Sequence, residues 1–339
     1  MLEVTLLGSG GSIPLPDRYL SATTIEYNGR KILIDSGEGT QVSMRAINSG
    51  FRNIDVICIT HLHGDHVIGL QGMLGTTSNS GRTEPITIIG PKGLKDVLAG
   101  FRLISPFLNY EVNVIEDPQE PVVINNDHIH GELSIEALPV EHTRPCLAYR
   151  INLARDPKFD VQKARENEVP QPLWGRLQKE QADIAYEGKV YTPDMVLGEP
   201  RPGLSVSLVT DTLPIPSIVP FVKHSDLFIC CSNYGDQADK GKADKNKHMT
   251  FEDSATLAKE AEVNTLMLTH YSQAMRHPED YIENARAIFP HTVMGQDHLR
   301  LELNYDESHP ILDYSLIEKD RERALEEGRK PIYRDSIFD

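Results

Sequence analysis

Long apolar runs are missing from this chain. No stretch of its 339 residues approaches the roughly 18 consecutive apolar residues that cross a bilayer, so no membrane helix is expected. Cysteine is scarce. There are four, two of them adjacent (Cys230 and Cys231), and their spacing makes no disulfide framework. A reduced compartment is expected, the cytoplasm. The opening residues Met1-Leu2-Glu3-Val4 lack the basic region of a secretory signal. Positive charge is also short, with 34 Lys and Arg against 50 Asp and Glu and a formal net charge of −16. Such a surface repels a phosphate backbone except at a local basic patch, which excludes an indiscriminate nucleic-acid binder. It suits a protein that gathers divalent cations, and it leaves a small phosphodiester substrate open. With 39% hydrophobic residues the chain has material for a substantial core, in one large domain or two average ones.

What is present centres on residues 54–66. Residues 54–59 form a short apolar run rich in β-branched side chains, which reads as a buried strand. It delivers His61, His63, Asp65 and His66 within six residues. Alternate side chains of an extended segment face the same way, so His61 and His63 can grip one ion from one side. Gly64 then lets the backbone turn and aim Asp65 and His66 at a second. Imidazole nitrogen and carboxylate oxygen are the ligands zinc takes in open, catalytic sites.

The remaining chain alternates strand and helix signals, which argues an α/β class. Residues 23–27 and 31–35 read as a hairpin around Asn28-Gly29. The glycine run 8–11 is expected as a turn packed below the metal site. A short helix is expected over 67–74, a strand over 86–89 and a helix over 91–101. His128, His130 and Glu132 alternate like the wet face of a half-buried strand and read as solvent-facing. Residues 152–203 are loop-rich, with eight basic and nine acidic residues, an insertion of functional length. The strand 204–209 ends at Asp211, and the strand 264–269 ends at His270. Residues 236–247 form a charged loop with four lysines, and Thr250 with Asp253 resembles a capping box opening a helix over 251–261. His224, His277, His291, His298 and His309 have no ligand spacing and read as surface residues. Residues 315–327 look helical, with Gly328 as a stop.

The His-x-His-x-Asp-His run resembles the metallo-β-lactamase fold superfamily. Its flanks, with Leu6-Leu7-Gly8-Ser9-Gly10 and the Asp35-Ser36-Gly37-Glu38-Gly39-Thr40-Gln41 turn, resemble the ribonuclease Z family more specifically. The resemblance runs to about Leu303. It implies a four-layer αβ/βα sandwich over 1–304, with 152–203 as a projecting arm that clasps tRNA. A charged, partly helical tail at 305–339 lies outside it. It further implies a two-metal site, with His61, His63 and His142 on one ion, and Asp65, His66 and His270 on the other. Asp211 would bridge them, one carboxylate oxygen to each ion. Asp35 would support the histidine loop from below. Asp65 and His248 would serve catalysis, His248 beside the transferred phosphate or the leaving oxygen. The ions would be two divalent metals, zinc foremost, with manganese or iron also compatible.

The implied activity is metal-dependent hydrolysis of RNA by a ribonuclease Z-type endoribonuclease, trimming precursor tRNA as a homodimer. A phosphodiesterase acting on small cyclic or activated diesters, or a metal-bound sensing protein, would use the same ligands. Two stretches depart from the family pattern. Where the family has His-Glu-Ala-Thr, this chain has Cys230-Cys231-Ser232-Asn233, with Cys231 in the place of the glutamate that orients His248. After His270 the family's Ser-Ser-Arg-Tyr is replaced by Ser272-Gln273-Ala274-Met275.

Overall fold

The computed structural model describes residues 1–125, 133–326 and 328. The expected wet strand face at His128, His130 and Glu132 lies outside the described residues.

Six strands, β1 (Leu2–Gly8), β2 (Ala22–Tyr27), β3 (Arg30–Ile34), β4 (Ile54–Cys58), β5 (Ile86–Gly90) and β6 (Val112–Glu116), build most of the first sheet. The second contains β7 (Val122–Ile124), β8 (Leu133–Val140) and β9 (Cys146–Arg155). A detached hairpin, β10 (Ile184–Tyr186) and β11 (Lys189–Tyr191), follows. The second sheet then resumes with β12 (Arg201–Val209), β13 (Leu227–Cys231), β14 (Leu266–Thr269) and β15 (Thr292–Met294). The chain returns to the first sheet with β16 (Arg300–Leu303) and β17 (Ile311–Asp313). The strand orders are β17-β16-β1-β2-β3-β4-β5-β6 and β15-β14-β13-β12-β9-β8-β7. In each sheet four successive strands are parallel, β3 to β6 and β12 to β15.

Side-chain alternation makes the layers. On β12, Leu204, Val206 and Leu208 face the core between the sheets, together with Val4, Leu6, Val56 and Tyr149 from other strands. The opposite face of β4, with Ile54 and Ile57, packs under α1 (Thr40–Ala46), α2 (Gly64–Asn79) and α3 (Leu94–Phe101). Phe228 of β13 faces the other way from Ile229 and meets α6 (Ile218–Val222), α8 (Phe251–Glu260) and α9 (Ile282–Arg286). These are the four layers of an αβ/βα sandwich. Successive side chains of a strand point to opposite faces, so each strand feeds two cores.

The 152–203 segment carries α4 (Val161–Glu166), α5 (Gln171–Glu180) and the β10–β11 hairpin around its own apolar cluster. Ala164, Leu173, Leu177 and Tyr191 are buried there, with Trp174 and Phe159 packed against them. The segment leaves β9 and re-enters β12 where Arg155 pairs with Arg201, so its two ends are neighbours.

Several local expectations shift. The helix after the histidine run begins at Gly64, with His63 as its extended N-cap, so Asp65 and His66 sit in its first turn. Residues 237–246, expected as loop, form a 3₁₀ turn and the helix α7 (Lys240–Asn246). Asp236 caps that turn by accepting from the Ala238 amide, which supports a short helix despite the Gly-Lys-Asp composition. The Asn28-Gly29 hairpin and the Thr250–Asp253 capping box are present. His298, expected at the surface, is fully buried. Its backbone N–H donates to the Leu6 carbonyl, its Nε2 lies 3.0 Å from Ser43 Oγ, and its Nδ1 lies 3.9 Å from Asp320. Asp320 belongs to α10 (Ser315–Glu326), whose Ile317 enters the core between the sheets.

Candidate metal centre

Five chain segments end at one edge of the sandwich. His61 follows β4, and its backbone bridges to Cys146 at the start of β9. His142 lies in the turn between β8 and β9, Asp211 just past β12, Cys231 at the end of β13, and His270 just past β14. Strands of parallel pairs all end on the same side, so chain ends that are remote in sequence become neighbours.

The side chains gather in two groups. His61, His63, His142 and Asp211 have one ligand atom each within 4.8 Å of one another, and so do Asp65, His66 and His270. In the first group His61 Nε2 lies 2.9 Å from His63 Nδ1, and His142 Nε2 lies 3.2 Å from that same nitrogen. In the second, His66 Nε2 and His270 Nε2 are 3.1 Å apart, with Asp65 Oδ2 at 3.6 and 3.5 Å from them. Asp211 Oδ2 stands between the groups, 3.5 Å from His61 Nε2 and 3.7 Å from both His142 and His66 Nε2. One oxygen faces both groups, whereas the sequence suggested one oxygen for each. Asp211 Oδ1 turns away, 3.1 Å from His270 Nδ1.

The rings are held in place from behind. His66 Nδ1 donates to Asp35 Oδ2 at 2.6 Å, leaving Nε2 to face the site. Asp35 also accepts from the Thr60 amide at 2.8 Å and from its hydroxyl. His142 Nδ1 donates to the Lys247 carbonyl at 3.1 Å, which likewise leaves Nε2 inward. Ser36 N–H holds the His66 carbonyl at 2.8 Å. A Cβ on Gly69 would stand 2.0 Å from the Gly37 carbonyl oxygen, so α2 rests directly on this turn. Above the second group, the Ser12 amide donates to Asp65 Oδ2 at 2.6 Å, and a Cβ on Gly11 would stand 2.5 Å from His270 Cε1. The glycine run therefore forms a wall of the site rather than a turn below it.

Burial lowers His61 well below the usual imidazole range, with His66 adding to the effect, and it lowers His63 and His142 in the same direction. Neutral rings keep a lone pair for a cation. Burial works against a charge on His66, but Asp35 outweighs it and raises that ring. Burial would raise Asp65 and Asp211, yet the adjoining histidines hold both carboxylates below their ordinary values. Imidazole nitrogens thus face one another at hydrogen-bond distance beside ionised carboxylates. The donor set fits two divalent cations, which would replace protons between these groups.

His248 lies between α7 and α8, outside both groups, with Nδ1 3.8 Å from Asp211 Oδ1. Burial brings it down to about 4, against the pull of Asp211. Cys231 Sγ is 3.9 Å from His248 Nδ1 and 3.6 Å from His270 Nδ1, so its thiol adjoins both rings. Three of the four lysines expected to form a basic cluster are paired. Lys240 meets Asp244 and Asp253, Lys242 meets Asp239, and Lys247 meets Glu141. Sequence reading did not find Ser12, Thr60 or Asn233, which touch the ligands through backbone or neutral side-chain groups. Their only signal was position, beside the glycine run or a strand end.

Fold and site together define a metallo-β-lactamase-fold hydrolase. The fold is similar to that of the metallo-beta-lactamase fold protein YhfI from Bacillus subtilis (TM-score 0.62, 19% identity, covering 88% of this chain and 98% of that one). It is also similar to human tRNase Z, short form (TM-score 0.62, 23% identity, 90% of this chain and 100% of that one). A family model described as anti-Pycsar protein Apyc1 matches residues 2–156. Over nearly the whole chain the similarity is to ribonuclease Z of Clostridium beijerinckii, 50% identical across 91% of this chain and all of the relative. Ribonuclease Z of Clostridioides difficile is 51% identical over the same shares. The chain belongs to the ribonuclease Z family, and it is a metal-dependent phosphodiesterase of the endoribonuclease type.

Proposed function

We propose that the chain cleaves precursor tRNA at its 3′ side, leaving a 3′ hydroxyl, with two zinc ions as cofactors. The observation that carries this reading is the convergence of His61, His63 and His142 on one side of Asp211 Oδ2 and of Asp65, His66 and His270 on the other. These residues would hold two divalent ions, which would supply an activated water and charge stabilisation for the phosphoryl oxygens. Asp65, fixed by the Ser12 amide and kept ionised by its histidines, is placed to accept the water's proton. His248, beside Asp211, would steady the phosphate; burial holds its ring down to about 4, so it would protonate the leaving 3′ oxygen only after the phosphate's negative charge favours its protonated form. The arm, with its own core, would clasp the tRNA away from the reacting bond.

A homodimer is part of this reading. Leu103, Ile104 and Phe107 are 88%, 72% and 89% exposed, an apolar patch between α3 and β6. An exposed cluster of this kind marks a contact surface. No helix among the described residues is long and apolar enough to cross a membrane. The four cysteines are free and buried, in keeping with a reducing cytoplasm.

The test is an assay of metal-quantified protein on precursor tRNA beside a nitrophenyl phosphodiester. Two ions per chain and tRNA cleavage are expected. His248→Ala should slow the RNA reaction by roughly 10²–10⁴-fold. It should leave the nitrophenyl reaction nearly unchanged, since that leaving group departs without a proton. Turnover of the small diester alone would refute the tRNA reading. Equal losses on both substrates would remove His248 from proton transfer.

A further inference from the structure

Cys231 is the last residue of β13 and is fully buried. Its sulfur lies 3.6 Å from His270 Nδ1 and 3.9 Å from His248 Nδ1. Asp211 Oδ1 completes the group, 3.1 Å from the same His270 nitrogen and 3.8 Å from that of His248. That oxygen is buried and accepts no hydrogen bond from the described residues. The four ligand atoms lie within 4.8 Å of one another. Around a tetrahedral zinc, with bonds of about 2.0–2.3 Å, neighbouring nitrogen and sulfur ligands stand roughly 3.5 Å apart. The observed separations are close to that spacing.

We propose that Asp211 Oδ1, Cys231 Sγ, His248 Nδ1 and His270 Nδ1 form a further cation site for thiophilic divalent ions. It rests on the two-metal reading for the roles of Asp211 and His270, which face the other ions through Oδ2 and Nε2. On binding, the Cys231 thiol and the His270 Nδ1–H each release a proton to solvent; the sulfur lone pair and the Nδ1 lone pair of the resulting imidazolate go to the incoming ion, while Nε2 still faces the second ion. Thiolate and imidazolate, formed as the two protons leave, together balance a dication, and the sulfur makes the site soft, favouring zinc or cadmium over magnesium or manganese. An ion here takes the His248 lone pair and draws on His270 and Asp211. Occupation is therefore inhibitory, and a glutamate at position 231 would remove the preference for soft ions.

The experiment titrates cadmium into full-length, zinc-loaded protein while the ultraviolet thiolate-to-cadmium band is recorded. A Cys231-dependent band is expected in wild type and in Cys230→Ala, and none in Cys231→Ser or Cys231→Ala. Losing a hydrogen-bonded partner of a metal ligand costs about 10–100-fold in affinity. Losing the sulfur ligand itself should raise the half-inhibitory cadmium concentration by at least as much, measured against each variant's own uninhibited rate. No band in wild type, or a band of equal size in both Cys231 variants, overturns the site. Zinc content before cadmium addition is read from the same samples. Fewer than two ions per wild-type chain counts against the two-metal reading, while the band still reports on sulfur by itself.

Discussion

Asp35 does not face the space between the candidate ligands, yet one of them depends on it. Its carboxylate binds His66 Nδ1 and the Thr60 amide from a left-handed backbone, φ 59°. Asparagine tolerates that conformation, so Asp35→Asn changes charge and acceptor strength without straining the chain. The variant should hold its second ion about 10–100-fold more weakly, as measured by chelator competition. Unchanged affinity would mean that packing alone orients His66. The part played by Asp35 was suggested by the resemblance of the 35–41 turn to the family's Asp-x-Gly-Glu-Gly-Thr run. Cys231 was readable only as a departure. The structure adds that its sulfur is nearer to His270 than to His248.

Whole elements carry two further expectations. Gly11 lies on the wall over His270, where a Cβ would stand 2.5 Å from the ring. Gly11→Ala should push His270 aside, so metal content should fall from two ions toward one while circular dichroism stays native. Two tightly held ions in that variant would show that the wall yields. The arm is separable on different grounds. Its core is its own, and it joins the sheet through the paired Arg155 and Arg201. A short linker replacing 157–199 should leave β9 and β12 paired and cleavage of a small diester intact. On the clasp proposal, affinity for tRNA should drop and lose part of its salt dependence, because any phosphate contacts of the arm would go with it. Binding that keeps its full salt slope would rule the clasp out. With near-equal acidic and basic residues in this segment, composition gave no strong sign of RNA contact.

The molecule as a whole is closed at His298, where α1, β1 and the tail helix meet. Burial lowers this ring to about 4, with Asp320 opposing, so the folded protein resists its protonation while the unfolded chain does not. Its contribution is fully present above the ordinary value near 6.5 and is lost as the pH falls from there through about 4. The neighbouring Asp297 works in the other direction. Burial raises it to about 6 despite hydrogen bonds from Ser9 and Tyr19, so its contribution is lost as the pH rises. The comparison must therefore be with His298→Asn, which keeps Asp297 and suits the local φ of 70°. The stability advantage of wild type over this variant should shrink by about 2 kcal/mol between pH 7 and pH 5 in urea unfolding. A constant gap would show that His298 is neutral in both states or reached by solvent.

Sequence by itself pointed to β2 to β5, β12 and β14, to the helices α2, α3, α8 and α10, and to the ligand types. Those follow from side-chain alternation, β-branched runs and turn residues that act over a few positions. His61, His63, Asp65 and His66 were legible because one segment holds them all. Tertiary structure decided what lies far apart along the chain. It brought Asp211 and His270 to one sheet edge because parallel strands end on the same side, and it set His248, between α7 and α8, beside them. It turned a single oxygen of Asp211 toward both groups, buried His298 under the tail helix, and paired Lys240, Lys242 and Lys247 with nearby carboxylates. Periodicity records which face of an element is apolar. It does not record which element covers that face, because the covering segment is chosen by packing across the whole fold.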